Sequence, residues 1–192
     1  MKICVYCASS AKIHPSYFEA TKQFARLCVA QNIAVVFGGG ASGLMGQLAD
    51  TIIEEGGKIK GIMPTFMKEV EWNHPKVTDF EFTETMHERK MRFLIDVDGV
   101  VTLPGGSGTL EELLELITLK RLGKFTKPIV ILNTNGYYDP LQMMLERSVT
   151  EKFMHQDHLK MWTFVNEPSQ VIEAIKNAAV WSEDAIKFAA NK

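Results

Sequence analysis

Cysteine is scarce in this chain: Cys4, Cys7 and Cys28 are the only three among 192 residues. A small odd number rules out a disulfide framework. Basic excess is also missing. Lys plus Arg number 21 against 23 Asp plus Glu, a net charge of -2, so nucleic acid is not expected as a partner. No stretch reaches the roughly 18 apolar residues of a membrane-spanning helix. The opening Met-Lys-Ile-Cys-Val-Tyr-Cys lacks the long apolar segment and small-residue cleavage site of a signal peptide. A cytoplasmic protein with no membrane partner is therefore expected. The five histidines, His14, His74, His87, His155 and His158, show no metal-ligand spacing, and neither metal nor cofactor is expected. With 46% apolar and 23% charged residues, the chain has the composition of an ordinary globular protein rather than a coiled coil or a disordered segment. Cys4 and Cys7 form a C-x-x-C within an apolar strand. Residues three apart on a strand point to opposite faces, so core thiols are expected rather than a redox pair.

What the chain does have is alternation. Apolar strands are predicted at 3–6, 33–37, 58–63, 99–103, 128–132 and 162–165. Helices are predicted at 44–55, 86–95, 110–122, 140–152 and 168–179, with a first one opening at Pro15 and a further one at 183–190. Residues 65–78 read as a loop with a short helical turn. Leu110, Leu113, Leu114, Ile117 and Leu122 are expected on one apolar helix face. Near-continuous apolar strands separated by helices indicate a parallel sheet covered on both sides. No linker divides the chain. The expectation is α/β: a single Rossmann-like doubly wound nucleotide-binding domain over residues 1–192, with ligands at the carboxyl ends of the strands.

Glycine is concentrated at two of those ends. Eight of 14 glycines lie in two short turns, Gly38, Gly39, Gly40, Gly43 and Gly46 in one, Gly105, Gly106 and Gly108 in the other. A glycine turn running into a helix N-terminus offers main-chain N–H donors and the positive end of the dipole to a phosphate or carboxylate. The alternative is that glycine there only permits tight turns and close packing. The first turn fits G-x-G-x-x-G, but the next strand ends Ile62-Met63-Pro64 with no acid for a ribose hydroxyl, which speaks against a dinucleotide site. Neither turn has the Gly-Lys-Ser/Thr of a P-loop. In the second, Glu112 follows Thr109 on the same helix face, about 5 Å further along by helix pitch, where it would face whatever is attached to a bound phosphate. Arg89, Lys90 and Arg92 cluster at what is predicted to be the start of a helix, where the dipole opposes cations unless an anion or a carboxylate is near.

Two motifs together, P-G-G-x-G-T-x-x-E at 104–112 and M-x-x-R-K at 86–90, resemble the Lonely Guy (LOG) family of cytokinin-activating phosphoribohydrolases, historically labelled possible lysine decarboxylases. The G-G-G-x-x-G-L-M-G stretch at 38–46 and the N-G-Y-Y-D-P stretch at 135–140 belong to the same resemblance. The chain departs from the family pattern at Ala8, where Gly is common, and after Thr118. The resemblance implies hydrolysis of the N-glycosidic bond of adenosine 5′-monophosphate or its N6-modified forms, giving free base and ribose 5-phosphate, by a homodimer. It implies Arg89 and Glu112 as catalytic residues. It also implies nucleotide binding by Glu71, Arg89, Lys90, Gly105, Gly106, Ser107, Gly108, Thr109, Leu110, Glu111 and Thr118. With both glycine turns taken as the phosphate site, Gly39, Gly40, Ser9 and Ser10 join that set. A carboxylate beside the ribose suits an oxocarbenium-like transition state. Two rivals are a non-catalytic nucleotide sensor, which needs no Glu112, and a pyridoxal-phosphate decarboxylase, which needs a buried Schiff-base lysine.

Overall fold

The computed structural model describes residues 1–68 and 73–188. Seven strands form one wholly parallel sheet: β1 (Lys2–Tyr6), β2 (Ala34–Phe37), β3 (Ile59–Pro64), β4 (Asp79–Thr83), β5 (Gly99–Thr102), β6 (Ile129–Leu132) and β7 (Thr163–Val165). Their spatial order is β4-β3-β2-β1-β5-β6-β7. The direction of winding reverses between β1 and β5, the place where a doubly wound sheet opens a crevice at its carboxyl edge.

Alternation along the strands splits the core in two. Ile3, Val5, Val35 and Phe37 face α1 (Pro15–Ala30), α2 (Gly43–Glu54) and α6 (Val171–Lys176). Cys4, Tyr6, Val100 and Ile131 face α3 (Met86–Phe93), α4 (Ser107–Arg121) and α5 (Asp139–Thr150). Cys4 and Cys7 thus enter opposite layers, and all three cysteines are free and buried. Burial pushes the Cys4 thiol well up and the Cys28 thiol to about 12, which keeps both protonated and inert.

Three departures from the sequence expectation matter for the site. First, β4 goes unpredicted. It is a half-exposed edge strand, Asp-Phe-Glu-Phe-Thr, with one carboxylate before its phenylalanines and one between them, so it lacks the continuous apolar run of the inner strands. Second, α3 has only eight residues. Thr85 caps it, its hydroxyl accepting from the Glu88 N–H at 3.1 Å, while the Glu88 carboxylate accepts from the Glu84 N–H. Lys90 and Arg92 therefore fall in the last turn, where the dipole favours cations instead of opposing them. Third, Leu114 is exposed rather than on the apolar face of α4, and Leu116 is buried there instead. Among the described residues no helix is long and apolar enough to cross a membrane.

Candidate active site

At the carboxyl edge, beside the junction of β1 and β5, lies a cavity of about 370 Å³. The turn after β1 supplies Ala8, Ser9 and Ser10. The turn after β2 supplies Gly38, and α3 supplies Met86 and Arg89. The start of α4 supplies Gly106, Ser107, Gly108, Thr109, Glu111 and Glu112.

Arg89 is 6% exposed and held on every side. Its Nε donates to the Ile62 carbonyl at 3.0 Å, Nη2 to the Gly38 carbonyl at 3.4 Å, and Nη1 to Glu112 Oε1 at 3.1 Å. The guanidinium carbon stands 4.8 Å above the Phe93 ring. A methyl group on Gly38 would come 2.6 Å from Nη2, so glycine is required there for the arginine to lie flat. The Glu112 side chain is 13% exposed. Arg89 orients its carboxylate through Oε1, in a setting dry enough for the pairing to be strong. Three positions and about one helical turn before it, Thr109 is buried, its side chain filling the space that a Gly105 side chain would take.

The two glycine turns differ in what their helices do. The N–H groups of Leu44 and Met45, in the first turn of α2, both donate to the Ala8 carbonyl, at 2.9 and 3.2 Å. A side chain on Gly43, at φ +62°, would fall 2.5 Å from Ser9 backbone, and one on Gly46 would strike the Ala41 carbonyl. Gly39, at φ +83°, yields to the Phe80 ring and accepts the His74 N–H through its carbonyl, and Gly40 bridges to Asn73. Gly39 and Gly40 therefore support the segment leading to β4 and do not line the cavity, contrary to the sequence expectation. This turn is closed on the protein itself.

The second turn is open. Gly106 caps α4 with no side-chain hydrogen bond. A methyl group on Gly106 or Gly108 would meet no atom within 4 Å, and neither glycine has a positive φ. Behind the turn, three successive carbonyls are tied down. Leu103 accepts from the Tyr138 hydroxyl at 2.8 Å, Pro104 from the Ala8 N–H at 3.2 Å, and Gly105 from the Tyr137 hydroxyl at 2.7 Å. The N-G-Y-Y-D-P stretch thus braces the loop, with Asn135 and Gly136 both at positive φ where the chain turns. Burial pushes the Tyr138 phenol well up, so it remains a donor.

Other expected residues lie at the rim or beyond it. Lys90 bonds Glu111 at 2.7 Å and Glu115 at 2.9 Å. These carboxylates push its pKa up, and Lys90 itself does not line the cavity. Gly105 and Leu110 sit behind the wall, Leu110 packed against the core. Thr118 is exposed and donates to the Leu114 carbonyl, so the structure does not bring it to the cavity. Glu71 lies outside the described residues. Sequence reasoning missed Met45 and Met67, which join Met86 as an apolar wall. No signal in the sequence sets these methionines apart from core residues. Among the described residues no cluster of His, Cys, Asp or Glu could hold a metal ion.

A family model described as "Possible lysine decarboxylase" matches residues 45–175. The chain is 38% identical over 156 residues to the probable cytokinin riboside 5′-monophosphate phosphoribohydrolase LOGL1 of Oryza sativa subsp. japonica, covering 81% of this chain and 70% of that protein. It is 33% identical over 185 residues to the cytokinin riboside 5′-monophosphate phosphoribohydrolase LOG2 of Arabidopsis thaliana, covering 96% and 87%. Among solved structures, the molybdenum cofactor carrier protein of Chlamydomonas reinhardtii superposes with a TM-score of 0.68 at 16% identity, covering 92% of this chain and 96% of that one. At that identity the likeness is one of fold. The sequence identity to these relatives and the shared motifs show that the chain belongs to the LOG family of phosphoribohydrolases.

Proposed function

We propose that the protein hydrolyses the N-glycosidic bond of adenosine 5′-monophosphate or an N6-modified relative, releasing the free base and ribose 5-phosphate. The observation that carries this reading is the open turn: two glycines that neither strain nor crowding demands, at an uncapped helix N-terminus, with a dry carboxylate one turn further in. The 5′-phosphate is bound by main-chain N–H groups at 106–109, with Ser9 and Ser10 across the cavity. Its binding energy fixes the ribose against Glu112. As the C1′–N bond breaks, its electron pair leaves with the base, and the carboxylate stabilises the cationic sugar. Glu112 then accepts a proton from the water that bonds to C1′, and a proton returned through solvent to the anionic base restores the carboxylate and completes the free base. Arg89, through its 3.1 Å bond to Oε1, keeps that carboxylate aimed. The methionine wall lies against the base.

The test is base release, followed by chromatography. AMP is expected to be cleaved and unphosphorylated adenosine to be cleaved far more slowly. Glu112→Gln should lose about 1,000-fold in kcat while still binding AMP by calorimetry. Equal rates on the nucleoside and the nucleotide, or full activity of the variant, overturn the reading. Nucleotide binding without base release by the parent would make the protein a sensor. A pyridoxal cofactor does not fit these residues. No lysine lines the cavity among the described residues, and Lys90 is held by two carboxylates that keep it charged, whereas a Schiff base needs the neutral amine.

We further propose a single-domain, cytoplasmic homodimer. Three free buried thiols suit a reducing compartment. Met86, Met91 and Leu114 are 37–47% exposed on α3 and α4 beside the cavity mouth, and Thr118 lies on the same outward stripe of α4 as Glu111 and Leu114. A second copy packed there would cover the apolar side chains and bring Thr118 toward a nucleotide. Sedimentation equilibrium should give twice the chain mass. A monomer at micromolar concentration would exclude this arrangement.

A further inference from the structure

A second cleft, of about 690 Å³ against 370 Å³, lies at the opposite edge of the sheet. Lys2, Ala34, Ile59 and Asp79, the first residues of β1, β2, β3 and β4, all line it. These four strands are neighbours, so the cleft spans the amino edge of half the sheet. The end of α2 and the segment 76–78 form its walls. In sheets of this kind ligands are expected at the carboxyl edge, so a larger cleft at the amino edge has no part in the reaction proposed above.

Its chemistry is distinct. Ile53 and Ile59 supply a partly exposed apolar floor, with Val35 and Val77 buried beneath it. Four lysines, Lys2, Lys58, Lys60 and Lys76, stand around it, and Asp79 is the one acid in the lining. That is four of the chain's 21 cations and one of its 23 acids, in a protein of net charge -2. Lys60 is paired to Glu81 at 2.9 Å and Lys76 to Asp50 at 2.8 Å. Glu81 is itself shared with Arg92 and also feels Lys2, and Asp98 accepts from the Lys2 main-chain N–H at 2.7 Å. The ammonium groups of Lys2 and Lys58 make no salt bridge among the described residues. The carboxyl-edge cavity offers rigid main-chain amides and an arginine already engaged. This cleft offers ammonium groups on long side chains beside an apolar surface, so it selects by charge and hydrophobicity more than by shape.

We propose that the amino-edge cleft is a second ligand site, taking a small amphipathic anion. The apolar or aromatic body of the ligand lies on Ile53 and Ile59, and its acidic group is held by Lys2 and Lys58. The proposal stands apart from the hydrolase reading, because none of these residues lines the carboxyl-edge cavity.

The test is a titration of the full-length chain with 8-anilinonaphthalene-1-sulfonate, followed through ¹⁵N amide shifts. Saturable one-to-one binding is expected, with the largest shifts at 56–60 and 76–79. The uncharged analogue N-phenyl-1-naphthylamine should bind at least about tenfold more weakly, and the double variant Lys2→Glu/Lys58→Glu should lose at least about tenfold in affinity for the sulfonate. Neither lysine is buried, so an unchanged amide spectrum elsewhere verifies the fold of that variant. Shifts centred on 106–112, shifts scattered without saturation, or equal affinity of parent and double variant would each overturn the proposal.

Discussion

The two glycine turns look alike as sequence and differ as structure. Both follow an inner strand and open a helix at the same edge of the sheet. In the first, the helix amides are spent on the Ala8 carbonyl, and the glycines are there because Arg89, Phe80 and the 9–10 and 41 backbones press against them. In the second, the space above Gly106 and Gly108 is empty and the helix start is uncapped. A glycine crowded by its own protein reports packing. A glycine with room around it, and no positive φ, reports something that approaches from outside. The first turn builds the platform on which Arg89 rests, and the second is the one that the proposed reading gives to the substrate phosphate.

Substitutions can break this contrast. Gly43→Ala should have the largest effect on stability, about 3 kcal/mol or more, since it adds both a positive-φ penalty and a backbone collision. The expected readout is a lowered urea midpoint, and a midpoint equal to the parent's would mean that the turn is not closed. Gly106→Ala should leave that midpoint in place and raise KM for AMP about tenfold, because the added methyl holds the phosphate off the main-chain N–H groups and weakens one charge-assisted contact. An unchanged KM would show that the second turn does not meet the phosphate.

The smallest effect is expected at the far end of α4, which is closed. There the Lys120 ammonium is buried and donates to the Lys127 carbonyl at 2.7 Å, and the Trp181 indole donates to the Lys120 carbonyl at 2.7 Å. Burial lowers the Lys120 pKa to about 8, from 10.5. Between those values the unfolded chain holds more protons than the folded one, so this group makes stability rise with pH there. The cost of its buried charge is fully present below about pH 8. Urea midpoints at pH 7.5 and 9.5 should differ in that direction, and Lys120→Met should flatten the difference. The same slope in both proteins would assign it elsewhere.

The inner sheet was legible because strands covered on both faces leave apolar runs such as Ile129–Leu132. The edge strand β4 was not, since Glu81 stands between Phe80 and Phe82, paired with Lys60 and Arg92, and breaks the apolar run. At the site, Arg89 and Glu112 were legible through their motifs, although nothing local shows that residues 23 positions apart share a 3.1 Å contact. The Lys90 environment was misjudged because the length of α3 decides which end of the dipole its cations meet, and that length depends on a cap at Thr85 and a stop at Phe93. Gly39 and Gly40 were taken for ligand groups because their true neighbours, Phe80 and Asn73, come from the segment whose strand went unpredicted.

The paired phenols behind the open turn carry one more consequence. Tyr137 and Tyr138 hold the Leu103–Gly105 backbone in place without a ligand, so on the proposed reading little conformational entropy remains to be surrendered when a nucleotide binds. Affinity for a phosphate ester is then governed by stripping water from the incoming anion, and the encounter is that of a rigid socket rather than a folding loop.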